Sequence, residues 1–379
     1  MYKYILFIMM LINTMTIPNI RGNLYAFQNR EQVKFIHNKE SKWGDCPEIK
    51  LEFFKSIGSI NEQDPNLNFY KVWDIMLDKE GNKYIVDLGN ERIQKFDKSW
   101  NYMCTIGRSG QGPGEFLVPS GVEIDNDNNL NIINYHNMRI EVMTLNGEFV
   151  RFYRLKRIFD FFRFIDSGLF LTKVTKIKAP PGFPGSGLGE GKLISIINSK
   201  GEIVDEFCDF TEYNDTFLNL IANKAAIEIG SNNDIFVAYL TKNLIEKYSI
   251  NGELLLQFDR KLPYNVKKAN VKNTGGSAYR ETWFKDVTFI SVCLGFDYKD
   301  RLWVLSYFTQ PGDLNSESAI TYKYPEKMHF ELFDNDGVLL GNLDTPNKLV
   351  MLRIIGDSVF FTDAYQVTVH EYKIIEQNR

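Results

Sequence analysis

A repeat with a period of 47 residues limits this chain more than any other feature. The stretch from Val72 to Gly107 and the stretch from Gly121 onward coincide at Asp78 and Asp125, Asn90 and Asn137, Arg92 and Arg139, and Ile93 and Ile140. Every pair is separated by the same 47 residues (Asp78 to Asp125). Coincidence at several positions in one register marks a structural repeat rather than a chance likeness.

Each unit alternates short apolar strands with polar turns. A first strand ends at DKEGN or DNDNN, a second follows as KYIVD or LNIIN, a turn carries Asn and Arg, and a third reads RIQKF or RIEVM. A last turn leads to a fourth strand. Four strands at such a period describe a propeller blade. Weaker copies continue: Asn251-Gly252 follows Asn146-Gly147 at a spacing of 105 residues (Gly147 to Gly252), and Gly337 follows Gly252 by 85. A further blade is marked by Ile165–Lys173 and Leu193–Phe207, with Lys200-Gly201 as its third turn. The final unit, LRIIGDSVFFTDAYQVTVHEYKI, stops after three strands, and Ile49–Gly58 supplies a candidate fourth. The expectation is an all-β, six-bladed propeller with four-stranded antiparallel blades, its last blade closed by an N-terminal strand. Closure of this kind removes two open sheet edges.

The run IGRSGQGPGEFLVPSGVEIDNDNNLNI and the run DLGNERIQKFD resemble the connector and turn of NHL-repeat propellers, over about Ile49 to Phe152. Beyond that the likeness is architectural, and Thr368 stands where the turn arginine would fall in the last blade. The resemblance implies the fold. It leaves function open, because the family includes lyases, lactonase-like hydrolases and interaction modules.

Lys3 and the apolar run Tyr4 to Ile12 read as an export signal, the run being too short to span a bilayer. The expected organisation is a signal over residues 1–22, an N-terminal extension over 23–48, and the propeller over 49–379. The mature chain is expected to be a monomer without a transmembrane domain. It is placed outside the cytoplasm, in the periplasm, the envelope or the medium. The net charge of -4 argues against a nucleic-acid partner. Cys46, Cys104, Cys208 and Cys293 form no CxxC pair, so a zinc or redox motif is not expected. Their even number in an exported chain permits disulfides.

Propeller topology sorts the loops, with the d–a connectors and b–c turns sharing one rim. Lys176–Lys192, Lys261–Asp286 and Phe308–Lys327 are long insertions, and all three fall on that rim. Long loops on a rigid scaffold commonly carry function. The candidate rim residues are Asp87, Arg92, Arg108, Glu115, His136, Arg139, Lys267, Lys268, Arg280 and Asp363. Lys267, Lys268 and Arg280 belong to a basic segment suited to an anionic ligand such as an acidic glycan. Asp87, Asn90 and Arg92 recur as Asn134, Asn137 and Arg139, and recurrence in each blade suits turn-holding hydrogen bonds better than catalysis.

The segment Asp125 to Asn129 resembles the start of a calcium loop. Leu130 occupies the place of its glycine and His136 that of its closing glutamate, so an Asx turn is expected. With only four histidines, none at HxxxH spacing, a histidine zinc site is hard to assemble. No GxSxG or P-loop occurs. The expected function is therefore non-enzymatic, the binding of a protein or glycan partner across the loop-bearing rim, with no cofactor. The alternative is a cation-dependent hydrolase or lyase of the lactonase-like class, with calcium as the candidate ion and Asp87, Glu115, Asn134 and Asp363 as candidate oxygens.

Overall fold

Second strands that are apolar along their whole length must be covered on both faces, and stacked blades do this. The computed structural model describes residues 33–377, apart from 60, 158, 160, 166–167, 175–190, 212–218, 220, 268–286, 312–323 and 347. By contacts the chain divides into two units, residues 1–35 and residues 36–379, and the second holds the propeller.

Two strands precede the first full blade: β1 (Lys34–Asn38) and β2 (Ile49–Ile57). Blade one comprises β3 (Val72–Leu77), β4 (Lys83–Asp87), β5 (Arg92–Phe96) and β6 (Tyr102–Ile106). Blade two comprises β7 (Pro119–Ile124), β8 (Asn129–Asn134), β9 (Arg139–Thr144) and β10 (Phe149–Arg154). Blade three holds β11 (Phe161–Ile165), β12 (Leu169–Lys173), β13 (Ile194–Asn198) and β14 (Ile203–Phe207). Blade four holds β15 (Ala225–Ile229), β16 (Ile235–Tyr239), β17 (Ile245–Tyr248) and β18 (Leu254–Arg260). Blade five holds β19 (Ser291–Phe296), β20 (Leu302–Tyr307), β21 (Met328–Phe333) and β22 (Leu339–Asp344). Blade six holds β23 (Leu349–Ile355), β24 (Ser358–Asp363) and β25 (Val369–Glu376), and β2 lies antiparallel beside β25 as its outer strand.

Burial follows this layering. Strands β4, β16 and β20 are buried along their whole length, whereas outer strands such as β6 and β10 are largely exposed. Six apolar clusters fill the joints between blades, for example Tyr84, Val86, Ile106, Phe116 and Leu130 between blades one and two. A side chain at Gly107 would meet the Phe116 ring at 2.0 Å, so this joint admits only glycine there.

The repeat extends to hydrogen bonds. Asp78, Asp97, Asp125, Asn198, Asp297 and Asp334 each accept backbone N–H groups two and four residues ahead. Asp125 also accepts from Asn131, so the calcium-like segment is an Asx turn.

The N-terminal extension contains ordered structure that its sequence did not reveal. Residues 36–57 run across the outside of blades four, five and six. β1 lies next to β18, and Asn38 donates to the carbonyls of Asp259 and Gly337 while accepting from Leu339 N–H. Lys42 and Trp43 then donate backbone hydrogen bonds to Leu339 and Leu340. The Trp43 ring covers Gly341, where a Cβ would approach it to 2.4 Å.

Candidate functional site

The first strands of the blades, β3, β7, β11, β15, β19 and β23, contact one another in a closed ring around a central channel. Four of them are irregular near their start, between Val72 and Asp74, Pro119 and Val122, Ser291 and Cys293, and Met351 and Arg353. A bulge turns consecutive side chains toward one side of a strand. Here it presents Trp73 with Asp74, Ser120 with Gly121, Val292 with Cys293 and Met351 with Leu352 to one cavity of about 210 Å³. Phe161, Phe162, Arg163, Lys173, Ala225–Ile227 and Leu294 complete its wall. These positions lie mainly in the early part of each first strand, so the cavity sits at the channel end bordered by the d–a connectors and b–c turns.

A charged network crosses the channel at the cavity floor. Arg353 of blade six donates from Nη2 to Glu123 Oε1 of blade two at 2.6 Å, and its Nη1 lies 3.6 Å from Asp74 of blade one. Arg163 of blade three donates from Nε to both oxygens of Glu228 in blade four at 3.1 Å, and its Nη1 lies 3.5 Å from Glu123. Burial pushes the Glu123 carboxyl above its ordinary range, against the pull of Arg353 and Arg163. Burial also opposes the charge of Arg163, but Glu228, Asp74 and Glu123 outweigh it and hold the guanidinium firmly protonated. Cys293, from blade five, is pushed up to about 11 by burial and by Glu228, so its thiol stays protonated at neutral pH.

The rim above the cavity carries exposed aromatics. Tyr70 precedes β3, Trp73 lies within it, and Tyr365 occupies the turn between β24 and β25; they are 53%, 42% and 70% exposed. Their backbones meet where Val72 N–H donates to Gln366 O at 2.8 Å. Phe308, after β20, is exposed on the same rim.

The described candidates from the sequence also lie on this rim, but in separate groups. Asp87 is fully buried and accepts from Tyr70 N–H, Asn90 Nδ2 and Arg92 Nε, while Arg92 also donates to Asn68 O. Asn134, its equivalent in blade two, accepts from Leu117 N–H and donates to Glu115 O. Arg139 donates to Gln111 O and Gly112 O and stacks 4.8 Å from the Phe152 ring. Arg108 and Glu115 pair at 2.9 Å within one connector, and a hydrogen bond from Gly112 N–H and the Arg108 contact hold the Glu115 carboxyl low. Asp363 accepts from Val367 N–H. These side chains shape their own turns. His136 is exposed beside Tyr135, and Lys267 is exposed with its N–H bonded to Thr288.

Lys268 and Arg280 lie outside the described residues, as do most of the three long insertions and the export signal. The strand ends that flank the insertions, at Lys173 and Ile194, Arg260 and Ser291, and Tyr307 and Met328, all belong to the same rim. Among the described residues no group of three or more His, Cys, Asp or Glu side chains is arranged to hold a metal ion, and no helix is long and apolar enough to cross a membrane. All four cysteines are free thiols. The sequence reading missed the channel network. The available signal was a charged residue within each of five otherwise apolar first strands: VWDIML, PSGVEI, FFRFI, AAIEI and LVMLRII.

Comparisons with known proteins agree on the architecture. A family model described as a 6-bladed beta-propeller matches residues 75–168. The crystal structure of a Bacteroides fragilis NCTC 9343 protein inferred to be exported is similar over 91% of this chain and 100% of its own, at 14% identity and a TM-score of 0.62. A Bacteroides vulgatus ATCC 8482 protein is similar over 87% of this chain and 99% of its own, at 12% identity and a TM-score of 0.57. A virginiamycin B lyase from Staphylococcus aureus aligns over 80% of each chain at 12% identity, with a TM-score of 0.47 too low to carry an argument. No curated protein matches the sequence. With its ring of six inner strands and these likenesses, the chain is a six-bladed β-propeller.

Proposed function

We propose that this propeller is a non-catalytic binding module that acts outside the cytoplasm, engaging a protein or glycan partner across its loop-bearing rim. The observation that carries this reading is the exposure of Tyr70, Trp73 and Tyr365 on that rim beside the channel mouth. Exposed tyrosine and tryptophan are the usual anchors of protein interfaces. The rim side chains that resemble a catalytic set instead hold turns, as Asp87 does with its three donors. The apolar run Tyr4 to Ile12 supports export, and the Bacteroides fragilis protein inferred to be exported shares the architecture. The connector and turn motifs over Ile49 to Phe152 support the NHL kind of repeat.

The test is binding of the purified chain to arrayed acidic and neutral glycans and to purified envelope proteins, with Trp73→Ala and Tyr365→Ala as variants. Each substitution is expected to weaken a saturable interaction at least about tenfold, with the fold intact by circular dichroism. Unchanged binding in both variants would sink the rim reading. Turnover of lactones or esters, with a calcium-dependent gain in thermal stability reversed by chelator, would replace it by the hydrolase or lyase reading.

A further inference from the structure

We propose that a cleft between blades two and three, on the face opposite the loop-bearing rim, binds a neutral sugar ring, seated against Phe164 with a hydroxyl donating to Asn131 Oδ1. This goes beyond the rim reading and does not rest on it, because it concerns the other face.

The turns that border the cleft fix its place. Asp125 and Asp127 belong to the turn between β7 and β8, and Ser199 to the turn between β13 and β14. Both turns lie at the strand ends away from the insertions. Arg151 and Tyr153 from the outer strand β10, with Phe164 and Phe170 from blade three, help to line a cavity of about 260 Å³.

Asn131 supplies a buried polar group with capacity left open. It is 2% exposed, and its Nδ2 donates to Asp125 Oδ2 at 2.9 Å and to Asn129 O at 3.3 Å. An ionised carboxylate only accepts, so the amide nitrogen must be the atom that faces Asp125. Oδ1 is then an acceptor that no donor among the described residues serves, and it is not one of the polar atoms sealed from solvent. Asn131 borders the cleft, so that is the space its oxygen reaches. A buried acceptor without a partner calls for one. The ligand must bring a donor, which excludes sulfate and purely apolar molecules.

The remaining wall asks for acceptors. Tyr153 Oη accepts from Arg151 Nε and keeps its own proton to donate, and Nη1 and Nη2 of Arg151 make no hydrogen bond among the described residues. The Ser199 hydroxyl serves either role. A ligand that meets all these groups both donates and accepts around its edge, as neighbouring hydroxyls do. Charge narrows the class further. Asp125, the inner charge, is already met by the N–H groups of Asp127 and Asn129 and by Asn131. Arg151 and Asp127 are exposed, where a charge pair contributes little. An ion would give up its water there without gaining a buried counter-charge, whereas a neutral polyol has no such cost. Phe164, half-buried, meets Phe170 edge-on at 5.4 Å and offers an apolar ring to the C–H face of a sugar. The cavity is smaller than the roughly 300–1,000 Å³ typical of drug-sized ligands, which suits a single ring.

The experiment is saturation-transfer NMR and calorimetric titration of the full chain with glucose, galactose, mannose and their methyl glycosides, with sulfate and phenylalanine as ionic probes. At least one sugar is expected to bind with a millimolar Kd, and the ionic probes at least about tenfold more weakly. Tyr153→Phe should weaken that sugar about three- to tenfold, as for one hydrogen bond, and leave the thermal midpoint in place. Phe164→Leu, which keeps an apolar side chain but removes the flat face, should weaken it by a similar factor. Equal affinity for a sugar and its methyl glycoside supports the end of a glycan as the source, and a tenfold preference for the free sugar supports a free monosaccharide. Absence of binding by every sugar at millimolar concentration, sulfate or phenylalanine binding as tightly as the best sugar, or unchanged affinity in both variants would overturn the proposal. Loss of sugar binding in Trp73→Ala would do so as well, by moving the site to the loop-bearing rim, while macromolecular partners and Tyr365→Ala judge the rim reading separately.

Discussion

Arg353 spans the channel, and replacing it with methionine tests what holds the ring together. Arg353→Met keeps most of the side-chain length but removes a guanidinium 2.6 Å from Glu123 and 3.6 Å from Asp74. Burial already pushes the Glu123 carboxyl upward, and Arg353 is the larger of the two cations opposing it. Without that cation the carboxylate escapes by taking a proton. Protonating an ordinary glutamate at pH 7 costs about 3.7 kcal/mol, from a reference pKa near 4.3 at about 1.36 kcal/mol per unit, and this caps the electrostatic loss. The lost contacts from Nη1 to Ile75 O at 3.4 Å and Val122 O at 3.3 Å are long, and together contribute about 0.5–1 kcal/mol. The sum lies within the roughly 3–5 kcal/mol typical of breaking a buried pair. With an unfolding entropy of roughly 0.7 kcal/mol/K for a domain of this length, the midpoint falls by about 5–7 °C at pH 7.

The sign of the pH dependence separates this cause from a packing defect. In Arg353→Met, a Glu123 pKa raised further in the folded state means that the folded variant holds a proton which the unfolded chain has released. Stability then falls as pH rises above the unfolded value and recovers as pH drops toward it. At pH 5 the ceiling on the electrostatic loss is only about 1 kcal/mol. Adding Glu123→Gln to Arg353→Met removes the need for a proton, and is expected to restore much of the loss at pH 7 and flatten the profile. Thermal unfolding of wild type, single and double variants at pH 5, 6 and 7 decides it. A deficit of equal size at every pH, or a double variant no more stable than the single one, would refute the reasoning.

Two further outcomes follow from the packing. Trp43→Ala uncovers Gly341 and is expected to cost about 3–5 kcal/mol, as for a buried aromatic removed to alanine; a midpoint within about 1 °C of wild type would mean that residues 39–48 do not hold the outside of blade five. Titration with a thiol reagent should show one fast group, the exposed Cys46, abolished in Cys46→Ser. Buried Cys208 should react only on unfolding, and half-buried Cys104 and Cys293, whose thiols burial also pushes upward, should react more slowly than Cys46; a second group as fast as Cys46 in the native protein would contradict this packing.

The blades were legible because their signals are local. An Asx turn needs only an acceptor and two amides within five residues, so Asp78 and Asp125 show in the sequence as they do in the structure. The recurrence of Asp87 and Arg92 as Asn134 and Arg139 likewise indicated turn-holding side chains, and their hydrogen bonds are of that kind. The docking of residues 36–48 was not legible. Asn38 owes its burial to Asp259, Gly337 and Leu339, partners more than two hundred residues away, and nothing in KFIHNKESKW announces them.

The channel escaped for a different reason, one tied to the repeat itself. A period of 47 residues maps Asp74 onto Gly121 and Glu123 onto Met76, so the charges that meet at the axis occupy non-equivalent places in their strands. Aligning blades against one another averages such residues away, while it strengthens those that build every turn. The bulges hide the site further, because whether Trp73 and Asp74 face the same space depends on an irregular pairing with β4 that no alternation pattern encodes. In a ring of similar blades, the repeating residues make the scaffold and the departures from the repeat meet at the centre. The place to look for chemistry is therefore a charged residue whose place in the strand, or whose sign, changes from one blade to the next on a strand that is otherwise apolar.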